Sequence, residues 1–356
     1  MSCAPPIKAL HVILISIPFP LMTERFHDFQ LLSRYHAIIE GIRGDPHSRL
    51  VVISRPQKGA QEPGGKVGVF PSSFNPVTRG HMAMLQRAAQ IEAFEETLLV
   101  LDTQAMDKEI FGATLVDRLV MLQLLQEDHP RFSIGLSNRG LFLTKAQILM
   151  GLYPRGTDMT FIVGYDTLAR VFDPKYYEEP EGSLDRLFAC STFMVANRGD
   201  DGREAVQQLT ASVENGRFKD KVHFFEIPNH LAQISSTQVR HHAREGKPLV
   251  RLVPARVREF IEKVKLYQPD TEIGSGGQRV NLYDLRAQVF RGLYARYPEG
   301  RGAIDIGKIV DEVVEGMKGR RTLGTLLDTI LDSVPVVKGE RWGRTPKDGI
   351  DNTGVS

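Results

Sequence analysis

A doubly wound α/β architecture, a parallel sheet with helices on both faces, is what this 356-residue chain predicts. Two observations carry the prediction. From residue 67 onward, short β-branched and aromatic runs alternate with helical patterns, and the spacers between runs are long enough for crossover helices rather than hairpins. A composition of 42% hydrophobic and 25% charged residues belongs to a folded globular chain with room for roughly two domains.

The expected strands lie at 67–70, 97–102, 132–137, 160–164, 192–196 and 222–227. Helical periodicity fills 82–93, 115–125, 144–152, 203–213, 236–244 and 254–264. Ligands in such sheets collect outside the carboxyl ends of the strands, so functional residues are expected just after strands. Ahead of this region, residues 9–22 are almost wholly apolar behind Lys8. They are too short to span a bilayer and lack a small-residue cleavage site, so they read as a buried strand rather than a secretory leader. Phe26, Phe29, Leu32, Tyr35, Ile39 and Ile42 then recur at helical spacing, and a strand follows at 49–54.

Residues 56–66, with three Gly and two Pro, read as an exposed linker, and 269–277 as a second one. The expected organisation is an N-terminal α/β extension over 1–60, a central domain over 66–268, a C-terminal helical appendage over 278–336 and a disordered tail over 337–356. The appendage offers a packing surface for self-association or a protein partner.

Forty-five Lys and Arg against 43 Asp and Glu give a net charge of +2. No global field therefore recruits nucleic acid or an anionic membrane, and anion specificity must come from placed residues. The two cysteines, Cys3 and Cys190, form no zinc or redox spacing, which fits a reducing, cytoplasmic setting, or a nuclear one in a eukaryote.

The most informative stretch runs from Val69 to His81, where the first sheet strand hands over to its helix. A small-residue turn through Pro71, Ser72 and Ser73 lets backbone amides approach an oligophosphate, and the helix points its positive end into the same space. Gly80 permits close approach of a nucleotide over the helix start. His81 is placed to donate to a non-bridging oxygen as charge grows, which is electrostatic stabilisation and not proton abstraction. A second stretch, Ile234-Ser235-Ser236-Thr237-Gln238-Val239-Arg240, opens another helix after the last strand. Its hydroxyls, amides and guanidinium suit phosphate oxygens, although each stretch alone reads sooner as an ordinary capped helix.

Together the two stretches resemble the signatures of the HxGH nucleotidyltransferase superfamily, with its Rossmann-like, cytidylyltransferase-like fold. The second resembles specifically the nicotinamide/nicotinate mononucleotide adenylyltransferases. Residues 161–168 (FIVGYDTL) are similar to the family's strand ending in Gly-x-Asp, and 171–177 (VFDPKYY) to a divergent subgroup of fungi and plants. The resemblance covers 66–268 and neither flank. It implies that Ser72, Ser73 and Phe74 line the nucleotide turn, that Thr78 and His81 contact the triphosphate, and that Ser235, Ser236, Thr237 and Arg240 complete the phosphate cradle. Lys108 stands where the family often has a phosphate-binding Lys, a solvent-facing Lys being an equal reading. Gly164 and Asp166 would face the ribose, unless Asp166 caps a short helix. Asn197 and Arg198 would approach the adenine or its phosphates. Asn75, Lys175, Tyr176 and Tyr177 would line the acceptor, with a tyrosine stacked on a pyridine ring or else in the core. Three departures from the family pattern bear on substrate and rate rather than on nucleotide binding: Pro71-Ser72 in place of two glycines, Asn75 in place of Asp, and Thr78 in place of the first His.

The implied reaction is in-line attack of a mononucleotide phosphate on the α-phosphorus of ATP, yielding a dinucleotide and pyrophosphate. No nucleophilic side chain is required, and magnesium would bind through phosphates and water, with no protein metal ligand. Three other readings remain open: CTP or another phosphorylated acceptor, an ATP-binding regulator or weak ATPase, and, more weakly, a tRNA-linked role.

Overall fold

A computed structural model describes residues 26–56, 59–60, 62–103, 112–177, 182–197, 202–212, 215–274, 278–300, 303–318 and 323–334. The apolar run at 9–22, Cys3, Lys108, Arg198 and the tail from 337 lie outside the described residues.

The chain order is α1 (Phe29–Arg43), β1 (Leu50–Ser54), β2 (Lys66–Ser72), α2 (Arg79–Ile91), β3 (Glu96–Asp102), α3 (Leu115–Asp128), β4 (Phe132–Ser137), α4 (Phe142–Leu152), β5 (Asp158–Gly164), α5 (Tyr165–Phe172), α6 (Ser183–Cys190) and β6 (Thr192–Ala196). It continues with α7 (Arg203–Ala211), β7 (Val222–Phe225), α8 (Asn229–Ala232), α9 (Ser236–Arg244), α10 (Ala255–Lys263), β8 (Thr271–Ile273), β9 (Gln278–Val280), α11 (Leu282–Arg296), α12 (Ile306–Lys318) and α13 (Leu323–Ser333).

Seven strands form one sheet in the order β1-β4-β3-β2-β5-β6-β7. Six are parallel, and β1 runs antiparallel to β4 at the edge. The chain winds outward from β2 through β3 to β4, then returns to lay β5 on the other side of β2. The switch point therefore falls between β2 and β5, where a doubly wound sheet opens its crevice. Alternation along the strands sorts the core into two layers. Phe70, Leu99, Leu101, Ile162 and Met194 pack beneath α2, α3 and α10, together with α1 and α11 to α13. Val69, Leu98, Val100, Phe161 and Phe193 pack beneath α4, α5, α6 and α7.

The flanks differ from the linker-based expectation. β1 is a strand of the central sheet, so no boundary separates it from the rest at residue 60. Ala60 is fully buried, and its amide donates to the buried carboxylate of Glu96 at 3.3 Å. Glycine and proline set the backbone of this loop, but they do not keep it in solvent. Part of the second expected linker forms the ribbon β8–β9. The C-terminal helices are not an appendage in packing terms. Phe29 meets Phe290 edge to face at 6.0 Å, and the amides of Phe29 and Ile306 bond to the carbonyls of Ile304 and His27. Arg286 of α11 is 3% exposed, pairs with Asp117 of α3 at 2.9 Å, and donates to the carbonyl of Phe26 at 2.6 Å. An apolar stripe in sequence marks a buried face without naming what covers it. Among the described residues no helix is long and apolar enough to cross a membrane.

Candidate active site

The crevice is built where β2 turns into α2. After Ser72 the backbone bends through Phe74, whose φ of 45° is unusual for a bulky residue, and through a cis bond between Asn75 and Pro76. The Phe74 side chain is buried, with its ring 5.9 Å from those of Phe70 and His81. Burying that ring turns the backbone of the loop outward. Ser73 is exposed, and Pro71 and Ser72 are half-buried.

Thr78 caps α2, and its hydroxyl accepts from the amide of His81 at 3.2 Å. In return the Nδ1 of His81 accepts from the amide of Thr78 at 3.0 Å, a reciprocal capping box. An Nδ1 that accepts a backbone hydrogen bond carries no proton, so the ring's single proton sits on Nε2. Desolvation pulls the pKa of His81 down to about 4. The imidazole is thus a neutral donor at physiological pH, with its orientation fixed by the helix cap. Thr78 acts here as the cap that aims His81.

The second stretch joins the first although β7 does not neighbour β2. The segment after β7 packs α8 against α2. A Cβ at position 80 would lie 2.7 Å from the carbonyl oxygen of Leu231 and 3.3 Å from that of Ile234, so Gly80 is what lets the two elements touch. Ser236 donates to the carbonyl of Pro76 at 2.8 Å. The guanidinium of Arg240 donates to the carbonyl of Asn75 at 2.7 Å and to the hydroxyl of Thr237 at 3.0 Å. Ser235 accepts from the amide of Gln238 at 3.1 Å and caps α9. Two segments more than 150 residues apart therefore meet on one turn, and the N-termini of α2 and α9 border one space.

β5, next to β2, ends at Gly164, the N-cap of α5, where an added Cβ would meet only open space. Asp166 is exposed in the first turn of that helix. Its position beside the switch point suits contact with a bound molecule.

Three expected contacts are turned inward. Asn75 is 6% exposed, and its Oδ1 accepts from the amide of Ala113 at 3.1 Å and from the hydroxyl of Tyr267 at 2.7 Å. The Asn197 amide group bonds to the carbonyl and the amide of Ile227 at 3.1 and 2.8 Å, tying the ends of β6 and β7. The hydroxyl of Tyr177 donates to the carbonyl of Val171, and burial raises its pKa. Each is a polar side chain satisfying buried backbone, a demand that a sequence motif does not reveal. Lys175 is exposed, pairs with Asp173 at 2.9 Å and lies 4.8 Å from the centre of the Tyr176 ring.

The sequence reading missed Arg118. It is fully buried in α3 and donates to the carbonyls of Ala113 at 2.9 Å and Ser73 at 3.2 Å, which fastens the nucleotide turn to the loop before α3. Burial lowers its pKa to about 10, so it remains a cation behind the turn. The available signal was the charged Asp117-Arg118 pair in the first turn of a largely apolar helix. Lys145 and Asp102, paired at 2.9 Å at the carboxyl end of β3, were missed as well. Lys145 is buried, and desolvation raises the pKa of Asp102. Among the described residues no group of three or more His, Cys, Asp or Glu is placed to hold a metal ion.

A switch-point crevice with two helix N-termini, an oriented neutral imidazole and an arginine suits the phosphates of a nucleotide. Residues 69–242 match the family model for cytidylyltransferase-like domains. The relatives narrow the resemblance. A probable nicotinate-nucleotide adenylyltransferase of Corynebacterium kroppenstedtii is 27% identical over 215 residues, which is 59% of this chain and 94% of the relative. One of Mycobacterium bovis is 27% identical over 206 residues, 56% of this chain and 91% of the relative. Among solved structures, the nicotinic acid mononucleotide adenylyltransferase of Plasmodium falciparum aligns with a TM-score of 0.43 at 18% identity, covering 57% of this chain and 97% of that one.

Proposed function

We propose that this protein transfers the adenylyl group of ATP to nicotinate mononucleotide, or its amide, forming a dinucleotide and pyrophosphate. The observation that carries the reading is the convergence of both signature segments on the turn at 75–76, flanked by the donor N–H of His81. In-line attack by the acceptor phosphate on the α-phosphorus needs positioning and charge neutralisation rather than a nucleophilic side chain. Backbone amides at 72–74 and the N-termini of α2 and α9 hold the phosphates. Nε2 of His81 donates to the oxygen on which charge develops, and Arg240 meets the distal phosphates. Asp166 accepts from ribose hydroxyls, and Tyr176 flanks the pyridine ring. The donors around the crevice are N–H groups and guanidinium, so in this reading magnesium arrives on the nucleotide's phosphates with part of its water shell. It would supply further neutralisation of the phosphate charge. The curated relatives, named as nicotinate-nucleotide adenylyltransferases, favour the acid acceptor.

The test offers nicotinate and nicotinamide mononucleotide in parallel to the purified chain with magnesium and either ATP or CTP, with His81→Ala as control. Dinucleotide and pyrophosphate formed from ATP, and lost in the variant, support the reading and rank the acceptors. No dinucleotide from either acceptor defeats it, and product from CTP alone moves the activity to cytidylyl transfer.

A further inference from the structure

We propose that Tyr267, which lies beyond the family-matched segment, is a positioning residue for the nucleotide turn: its hydroxyl fixes Asn75, and through Asn75 the amides at 72–75 and the guanidinium of Arg240. The inference rests on the reading of this turn as the nucleotide site.

Four observations converge on it. The hydroxyl of Tyr267 donates to the Oδ1 of Asn75 at 2.7 Å, and the carbonyl of that same residue accepts from Arg240 at 2.7 Å. One residue thus links the tyrosine to the arginine of the second signature. The backbone that delivers Tyr267 is strained, with φ of 59° at Lys265 and 64° at Tyr267, two non-glycine residues in the left-handed region within three positions. Such geometry costs about 1–3 kcal/mol per residue and persists only where the surroundings impose it. Across the ring, Gly112 has φ of 107°, and a Cβ there would come within 2.8 Å of the Tyr267 ring and 3.0 Å of Asn75 Oδ1. The loop before α3 is therefore shaped to admit both groups. Asn75 is buried, so loss of the hydroxyl removes one of the bonds that hold its side chain in a site closed to bulk water, and loosens the residue whose backbone carbonyl meets Arg240.

Tyr267→Phe in the full chain keeps the ring and removes only the hydroxyl. We expect magnesium–ATP affinity, measured by calorimetry, to weaken about tenfold, the amides at 72–75 to exchange about tenfold faster, and the melting temperature to shift by no more than about 2 °C. Asn75→Ala should do the same, and the double variant should be no weaker than Asn75→Ala alone, because the two groups act in series. ATP affinity and turn exchange both within twofold of the unchanged chain would overturn the proposal. So would faster exchange spread evenly over the molecule with a lowered melting temperature, which marks a purely structural tyrosine. If the unchanged chain binds no ATP, the nucleotide reading of the site fails and the proposal fails with it; the location of the exchange change then reports only whether Tyr267 holds the turn.

Discussion

Exchanging His81 for asparagine separates two jobs that one ring performs. Nδ1 closes the cap of α2, which leaves Nε2 with the only ring proton. Asn places a carbonyl oxygen near the Nδ1 position and so keeps the cap, but nothing on it reaches the Nε2 position. Loss of a donor aimed at developing charge costs about 10²–10³ in kcat, equivalent to about 3–4 kcal/mol of barrier. Loss of the reciprocal cap alone costs about 1 kcal/mol, or about 2 °C in melting temperature for a chain of this size. His81→Asn should therefore lose two to three decades of kcat, with KM for ATP and the melting temperature nearly unchanged. His81→Gln, whose side-chain oxygen can still accept from the Thr78 amide while its N–H reaches farther, should regain about tenfold in kcat over His81→Asn at a similar melting temperature. The folded ring titrates at about 4 against 6.5 when unfolded. In the native state His81 contributes no change of charge between pH 5 and 8, and kcat should be flat there with respect to it. Below pH 6.5 the unfolded state takes up a proton that the native ring refuses, so stability should fall as pH drops from 6.5 towards 4, and less so in His81→Asn. Steady-state kinetics across pH, with thermal melts, checks both statements. Wild-type turnover in His81→Asn, or a kinetic inflection near pH 6.5 abolished by it, would refute the assignment of a neutral donor.

Gly80→Ala puts a methyl carbon 2.7 Å from the Leu231 carbonyl and should force α2 and α8 apart, weakening ATP in a calorimetric titration and costing about 1–3 kcal/mol in urea melts. Arg118→Met removes the donor to Ser73 and Ala113, and should destabilise by about 2–3 kcal/mol while raising KM for the nucleotide, whereas a variant of exposed Arg203 should leave both unchanged. Arg286→Met strands the buried carboxylate of Asp117, which keeps the Tyr283 hydroxyl at 2.6 Å but loses its ion pair; a loss of about 3–5 kcal/mol should appear in denaturant melts, against a much smaller one for Arg296→Met at the surface pair.

The sheet was legible in sequence because strand and helix periods differ and the runs of 67–264 are long and clean. All seven of its strands start within two residues of their expected positions, the last at Val222 as expected. His81, Gly80, Ser236 and Arg240 were legible because a helix start after a strand is a local signal. What sequence could not convey is which buried acceptor each polar side chain serves. Asn75 and Asn197 look like ligand contacts on paper and satisfy backbone in the fold, while Arg118 and Tyr267, plain letters in helix and loop, hold the turn in place. The sequence by itself determined the alternation of elements and the chemistry available at two helix starts. Tertiary structure alone decided that those starts share one turn, that β1 and the C-terminal helices complete the same core, and that an imidazole is neutral and aimed. Local patterns depend on near neighbours, whereas desolvation and hydrogen-bond satisfaction depend on residues brought together from more than a hundred positions away.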